Sequence, residues 1–464
     1  MKTGALVYLH ERMEPEREAL SQLCDAASLD GEAIVLATPD IHTGYGVPIG
    51  SVIASPSLIS PAAVGYDVSC GMRLLLSPLD AVEAPFGEIC RAIREELPLG
   101  EGKRNRRFEL KERQLKLVLE RGVAGLVDVT ANDAELARVV DPERTGIDRR
   151  RIEDGGALEG EPGEVSSRAV RRGLSQLGTL GGGNHFVEIQ KVEELPDESA
   201  GRALGMRQGQ LAVMIHTGSR GLGHQVAGDH MRIANDAAGR YGIPRPSRQL
   251  SCMPADSPEG IAYLGAMRAA ANFASANRQV IAEIVRGAFA RVLESRAGLS
   301  TVYDVSHNVA KREKHGGRWL YVHRKGATRA FPPARMRGSD FARIGQPVLV
   351  PGSMGTASYV LLPGERVDES LCSVNHGAGR AMSRTAAAGK IRRRDGKVIR
   401  PGAISQSRFR ESMRGVYLEC EDRRAIVEEA PDAYKDIDLV VETVEGAGLG
   451  RAVARLVPLG VLKG

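Results

Sequence analysis

Aromatic side chains are scarce: 8 Phe, 10 Tyr and the single Trp319 make up 4% of 464 residues. So few rings exclude a nucleic-acid surface built as a long row of stacking platforms, and any such contact is expected to be mostly electrostatic. Cysteine is sparse as well. The six residues at 24, 70, 90, 252, 372 and 420 contain no CxxC pair, which excludes a disulfide framework and a zinc ribbon. No run of 18 apolar residues occurs, and the opening MKTGALVYLHERMEPERE becomes charged too soon for a signal peptide, so the expected location is the cytoplasm with no membrane partner. Several nucleotide and hydrolase signatures are also missing. There is no G-K-[ST] and no G-x-S-x-G, and the glycine-rich LGTLGGGN and HGAGRAM both miss the G-x-G-x-x-G spacing.

What remains is an ordinary globular composition, 42% apolar and 26% charged, with 54 glycines. No internal repeat, low-complexity tract or long linker divides it. The expected fold is α+β, one large mixed domain over residues 1–464 with β-sheets and flanking helices. Residues 11–29 read as an amphipathic helix, and EAIVLA (32–37) and GSVIAS (50–55) as short strands. A charged segment at about 86–172 reads as helices with a basic outer face, interrupted by a loop at 151–166. Beyond it, S-P-E at Ser257 opens the longest expected helix, about 258–296, with Ile261, Leu264, Met267, Ala271, Phe273, Ile281 and Ile284 at helical intervals. The β-branched runs in PVLVPGSMG (347–355) and IDLVVETV (437–444), and the terminal VLKG, read as strands.

The net charge is +5, and arginine clusters in RNRR (104–107), RTGIDRRR (144–151) and IRRR (391–394). Arginine pairs bidentately with phosphate, so these runs are candidate RNA contacts, though a solvated face has the same composition.

The stretch VGYDVSCGMRLL (64–75) sets Asp67 and Cys70 three apart before an apolar run, an arrangement that packing alone does not call for. Of ten histidines, four stand where short apolar runs open into glycine-rich loops: His185 in GGGNHFVEI, His216 in MIHTGSRGLGHQ, His307 in YDVSHNVAKRE and His376 in SVNHGAGRAMSR. Such strand ends commonly display functional groups. Carboxylate, thiolate and imidazole together suit a borderline transition metal such as manganese, iron, cobalt or zinc, and a thiolate can bridge two ions. Each residue alone also has a bland account, the cysteine as a small buried hydrophobe and the histidines as satisfied core or surface groups. If phosphate binds, loop amides and arginines such as Arg220 and Arg380 must hold it, and the glycines beside His376 let it approach closely.

These blocks, with PDIHTGYGVPIGSV (39–52), PGSMGTASYV (351–360), APDAYKDID (430–438) and the terminal VLKG, resemble the RtcB family of GTP-dependent RNA-splicing ligases. The likeness runs in order over nearly the whole chain from about residue 20. It implies a metal site in a central cleft at strand ends and glycine-rich loops, with Asp67, Cys70, His185, His216 and His307 holding two Mn2+ ions and the thiolate between them. His376 then matches the histidine that attacks the α-phosphate of GTP. Asn184 matches a contact to the GTP phosphates, with Gly377, Ala378 and Gly379 beside them, while Phe186, Glu188, Ser353, Ser358, Tyr434 and Lys463 match positions around the guanine. Arg220 and Arg380 match arginines that hold RNA phosphate. The implied reaction joins an RNA 3′-phosphate or 2′,3′-cyclic phosphate end to a 5′-hydroxyl end, with an archease-type activator as a further expected partner. The stretch before PDIHTG lacks the NVA..LPGI pattern that many members show, which suggests a divergent bacterial branch; the resemblance implies tRNA splicing, and the divergence points to an RNA other than tRNA halves, with repair of cleaved RNA as the expectation.

A metal-dependent phosphoesterase opening cyclic phosphates without ligation would use the same metal set, but leaves His376 and the guanine positions unexplained. A non-enzymatic RNA-binding or metal-sensing module needs only the arginine runs, and makes the site histidines structural. His224, His230, His315 and His323 carry no assigned role; His224 is the best placed in sequence to support His216.

Overall fold

In the computed structural model, residues 4–294, 298–391, 398–422 and 425–464 are described. Period-two alternation builds its largest sheet. In the strand Gln210–Thr217, Val213 and Ile215 face one hydrophobic core while Ala212 and Met214 face another. The eight-stranded sheet runs Val348–Val350, Ser358–Pro363, Gly450–Lys463, Phe186–Glu194, Gln210–Thr217, Gly71–Asp80, Ser300–Ser306, with Tyr417–Cys420 also paired to Gly450–Lys463. Strands from the first and last hundred residues thus share one sheet. A second sheet of five strands, Ala5–Val7, Ile34–His42, Ile49–Ser55, Arg318–Lys325 and Asn308–His315, lies beside it.

The long helix appears at Pro258–Leu293, capped by Ser257 Oγ, which accepts from Gly260 N at 3.1 Å. Most of its residues are buried around the whole circumference, so it is a central helix rather than an amphipathic cover. It packs against the helices Phe86–Glu96, Glu112–Thr130 and Arg220–Arg240 and against the strand Gln210–Thr217. Its Arg278 reaches the sheet, where Nε and the ring of donors around it bind Asp304 (2.9 Å to Oδ1) while NH1 donates to the carbonyls of Ser69 (2.9 Å) and Thr217 (3.2 Å). Arg73 closes the same buried cluster on Asp304 Oδ2 at 2.8 Å.

The sequence expectations hold for the N-terminal helix (Arg17–Ala27), for the strands around 32–37 and 50–55, and for a helical segment within 86–172. IDLVVETV is a helix, Ile437–Gly446, not a strand. Its β-branched residues suggest a strand, but Ile437, Val440, Val441 and Val444 recur at 3, 4 and 7 and are the buried set, and Asp436 caps the helix by accepting from Asp438 N. Tertiary burial of a helical stripe outweighs the local preference. The glycine loop read after His216 is also mostly helix, since Arg220–Arg240 begins at once and contains Gly221 and Gly223.

The arginine runs are partly consumed by acids. Arg107 pairs with Glu96 (2.8 Å) and Glu135 (3.3 Å), Arg144 with Glu283 (3.2 Å) and Arg151 with Asp340 (3.4 Å). Arg392, Arg393 and Arg394 lie outside the described residues. Among the described residues, no helix is long and apolar enough to cross a membrane.

Candidate functional site

Strand register assembles the site. Gly71 lies opposite both Thr217 and Ser306, and His216 lies opposite both Met72 and Phe186, so Cys70, His185, His216 and His307 emerge together at one edge of the large sheet. Asp67 joins them through a tight turn in which Cys70 N donates to Asp67 O at 3.0 Å and Ser69 takes φ 54°. Positive φ in a β-branch-free but non-glycine residue is costly, and the turn is held from outside. Ser69 N donates to Asn308 O at 2.7 Å, Asn308 Nδ2 to Asp67 O at 3.1 Å, and Arg278 to Ser69 O. The turn directs the carboxylate and the thiol of the opening motif to one point.

The thiol sits at the centre. Cys70 Sγ is 3.3 Å from His185 Nε2 and 3.1 Å from His216 Nε2; His216 Nε2 is 3.3 Å from His307 Nε2; Asp67 Oδ2 is 2.7 Å from His185 Nε2. Two triads result, Asp67–Cys70–His185 and Cys70–His216–His307, each with donor atoms within 4.8 Å of one another and both sharing Cys70. Backbone carbonyls fix two of the rings, Leu180 O at 3.0 Å from His185 Nδ1 and Asn184 O at 3.1 Å from His216 Nδ1. With Nδ1–H donating outward, the Nε2 lone pairs converge on the thiol. Burial holds His216 and His307 well below the usual imidazole range, the neutral, ligating form. Burial, and then the charge of Asp67, push the Cys70 thiol well up. Against burial, His185 and then Arg220 bring Asp67 down to about 2. Five donors of O, S and N type converge on one point, an arrangement that fits two cations sharing a thiolate, with the cations displacing the thiol proton that burial otherwise retains.

His376 follows the strand Ser373–Asn375, its ring 4.8 Å from that of His307. Its Nδ1 lies 2.7 Å from Asp40 Oδ2, and its backbone N donates to the same oxygen at 3.2 Å. Asp40 is fully buried and accepts from Thr38 Oγ1 at 2.6 Å on its other oxygen. Burial opposes its charge, but His376 and Thr38 keep its pKa low. A fixed carboxylate on Nδ1–H leaves the Nε2 lone pair of His376 toward the cavity. Gly379 is needed here: it takes φ 72°, and a Cβ would collide with the carbonyl oxygen of Asp40. Gly181, at φ 101°, likewise leaves room for Arg220 and His185.

A cavity of about 570 Å³ joins the two groups, with Asp67, Cys70, His216 and His307 on one side and His376, Gly377, Ala378 and Gly379 on the other. Asn184, Phe186, Ser353, Arg380, Tyr434 and Lys463 also line it. Its far end is organised by Glu429, 2% exposed, which accepts from Arg380 NH1 (3.1 Å), Arg384 Nε (3.0 Å) and Tyr434 Oη and lies 3.8 Å from Lys463 Nζ. Arg380 also covers the Tyr434 ring at 5.1 Å, and Lys463 the Phe186 ring at 5.7 Å.

Not every expected residue faces the cavity. Glu188 and Ser358 lie behind it, joined through Gln190, whose Nε2 is 2.5 Å from Glu188 Oε1 and 3.0 Å from Ser358 Oγ. Burial raises Glu188 to about 8. Arg380 spends its donors on Glu429, Glu428 O and Met382 O, whereas Arg220, at φ 56°, lies with NH1 3.4 Å from His185 Nδ1, beside the metal-type triad. His323 and His315 are satisfied structurally: His323 Nδ1 lies 2.9 Å from Ile53 O and His315 pairs with Glu313 at 3.0 Å. His230 is buried beside Tyr263, and His224 stacks on Tyr66 rather than supporting His216.

Sequence reasoning did not single out Asp40, Glu429, Arg384 or two further residues lining the cavity, His42 and Lys325. Burial lowers His42 to about 4 and Lys325 to about 7; the Lys325 ammonium donates to the carbonyls of Tyr45 (2.6 Å), Val47 (3.1 Å) and Ala62 (3.1 Å). A carboxylate and an imidazole two apart in PDIHTG were the available signal.

A family model described as tRNA-splicing ligase RtcB matches residues 22–464. The chain is 44% identical over 463 residues to the RNA-splicing ligase RtcB of Mycobacterium tuberculosis, covering 96% of this chain and all of that one. It is 44% identical to the tRNA-splicing ligase RtcB of Thermococcus kodakarensis, covering 98% and 93% of the two chains, and 40% identical to that of Archaeoglobus fulgidus, covering 100% and 95%.

Proposed function

The chain belongs to the RtcB family, and from that premise we propose that it is an RNA ligase, joining RNA 3′-phosphate or 2′,3′-cyclic phosphate ends to 5′-hydroxyl ends at the expense of GTP. The observation that carries the reading is the pairing, in one cavity, of two thiol-sharing donor triads with a histidine whose Nδ1 is held by a buried carboxylate. Asp67, Cys70, His185, His216 and His307 would hold two Mn2+ ions, which when bound neutralise phosphate charge and activate the oxygens that attack and leave.

The chain's own residues supply the rest. Asp40 keeps the proton on Nδ1 of His376, so that Nε2 attacks the α-phosphorus of GTP; an N–P bond forms and the bond to the β-phosphate oxygen breaks, releasing pyrophosphate. An oxygen of the RNA 3′-phosphate then displaces His376 from that phosphorus, taking the GMP. The 5′-hydroxyl oxygen attacks the activated RNA phosphorus, its proton leaves to solvent or a base, and GMP departs as the new phosphodiester forms. A cyclic phosphate end is first opened by water. Asn184, Gly377, Ala378 and Gly379, which line the cavity, would meet the phosphates, and Arg220, beside the triads, would hold RNA phosphate. Phe186, Ser353, Tyr434 and Lys463 surround the guanine, with Glu188 and Ser358 as its second layer and Arg380 locked to Glu429 at its edge. The reaction is placed in the cytoplasm, in tRNA splicing or RNA repair, with an archease-type activator as a partner.

The test is a joining assay with one RNA ending in a 3′-phosphate and one beginning with a 5′-hydroxyl, with manganese, with and without GTP. Joined product that requires GTP supports the reading. Opening of cyclic phosphate ends without joining would give the hydrolytic reading its place instead.

A further inference from the structure

The central cavity does not end at the metal-type triads. Tyr45 and Tyr66 line it and also line a second cavity of about 280 Å³, bounded by Arg232, Arg248 and Gly228. Gly228 and Arg232 in turn wall a third, of about 310 Å³, whose other sides are Arg168, Arg172 and His224. Shared lining residues set the three side by side, in a row leading outward from Asp67.

Helical spacing explains its basic lining. His224, Gly228 and Arg232 follow at i, i+4 and i+8 on the helix Arg220–Arg240, and Arg168 and Arg172 at i, i+4 on the helix Ser167–Gly173, so each helix offers one face. Arg168, Arg172 and Arg248 are exposed and have no ion pair among the described residues. Of the lining arginines, Arg232 pairs with Asp229, which also accepts from Ser166 Oγ (2.7 Å) and Gln225 Nε2 (2.8 Å). A pair whose guanidinium is this exposed is worth little and yields readily to a phosphate.

Two of the chain's few aromatic rings stand at the groove's entrance. Tyr45 meets Tyr66 edge-on at 5.4 Å, and His224 stacks on Tyr66 at 4.7 Å with 23° between planes. The exposed His224 ring continues this stack into the groove. From His224 to Arg232 the helix rises about 12 Å, the length of three to four stacked nucleotides.

We propose that this groove carries one single strand of the RNA substrate away from the reacting ends, with its phosphates on Arg168, Arg172, Arg232 and Arg248 and a base stacked on His224. Its lining of guanidinium groups and three rings, of which His224 is the one that reaches furthest out, reads backbone and base faces but no sequence. The proposal rests on the ligase reading for the identity of the strand.

The test is fluorescence anisotropy of internally labelled RNA, 4 or 14 nucleotides long, in two series that carry either a 3′-phosphate or a 5′-hydroxyl end, with manganese and without GTP. In one series the 14-mer is expected to bind the wild type at least about tenfold tighter than the 4-mer. The double variant Arg168→Gln/Arg172→Gln should lose most of that gain, its slope of log affinity against log salt becoming shallower by about 1.4. His224→Ala should weaken the 14-mer roughly fivefold or more, from the loss of one stacked base. An unchanged thermal midpoint checks folding, and Arg248→Gln, on a separate loop, carries the same expectation should the double variant fail to fold. Equal binding of both lengths in both series, or variants that bind the 14-mer as the wild type does, would overturn the proposal and leave the patch to an acidic protein surface. Because GTP is omitted, the readout stands apart from ligation: joining without length dependence refutes the groove alone, and length-dependent binding without joining refutes the ligase reading alone.

Discussion

The two ends of the central cavity are built on opposite principles. Around Cys70, five donor side chains turn their acceptor atoms toward one another, and burial keeps His216 and His307 neutral. Around Glu429, a carboxylate is surrounded by Arg380, Arg384, Tyr434 and Lys463, so that cations and anion already satisfy each other. One end is rich in donor atoms, with Arg220 as the cation beside them, and is left to be completed by what binds; the other is already paired and has to be shared with what binds. That difference teaches where binding energy would come from under the proposed function: a metal at the first end would relieve crowded donor atoms, whereas a purine base at the second would exchange with contacts that exist without it.

The largest expected effect breaks the first end. Cys70→Ala removes the one atom common to both triads, so manganese measured per chain should fall from two to one or none, and joining should fall to background. In the wild type, stripping the metal with a chelator should lower the thermal midpoint by several degrees, since ligand at about 100 times its Kd stabilises by about 2.7 kcal/mol, whereas Cys70→Ala should barely respond. Retention of two ions and of activity in the variant would dissolve the contrast. Next, Glu429→Gln leaves Arg380, Arg384 and Lys463 without their shared anion. It should raise the KM for GTP about tenfold, in keeping with the 1.5–3 kcal/mol of a charged hydrogen bond, while the metal count stays at two. A fall in metal content would mean that the two ends are not separable.

The smallest effect sharpens the comparison at Glu188, behind the Glu429 end. Burial raises this carboxyl to about 8, so between about pH 4.5 and 8 the folded protein holds a proton that the unfolded chain has released. Its contribution to stability is therefore full below about pH 4.5 and declines as pH rises through 8. Relative to Glu188→Gln, the wild type should lose stability over that window, by about 1.4 kcal/mol per unit at most, and run parallel to it above. Denaturant titrations at pH 5, 7 and 9 read this directly, and a constant difference would place the ionised form in the fold.

How much of this was legible in the sequence follows from what is local. Asp67, Cys70, His185, His216, His307 and His376 each stand in a short motif at a strand end, and strand ends can be read from alternation and glycine. Their partners cannot. Asp40 meets His376 across 336 positions, and Glu429 meets Arg384 across 45, through sheet order and register that no single stretch contains. The same limit explains the misreading of IDLVVETV, whose β-branched residues point to a strand until the core that buries Ile437, Val440, Val441 and Val444 is known. It also explains the arginine runs: Arg107, Arg144 and Arg151 turn to acids brought near by folding, while Arg168, Arg172 and Arg248 of the outer groove, without an ion pair among the described residues, stood in no conspicuous run.

The central claim is that His376 is the nucleophile that Asp40 orients and the metal-type triads serve. It is tested most directly by incubating the protein with manganese and GTP labelled on the α-phosphate, beside His376→Ala, and measuring acid-labile label on the chain. Label on the wild type that is absent from the variant is the expected result. A folded, manganese-loaded wild type that takes up no label, or a variant that takes up as much, would contradict the account.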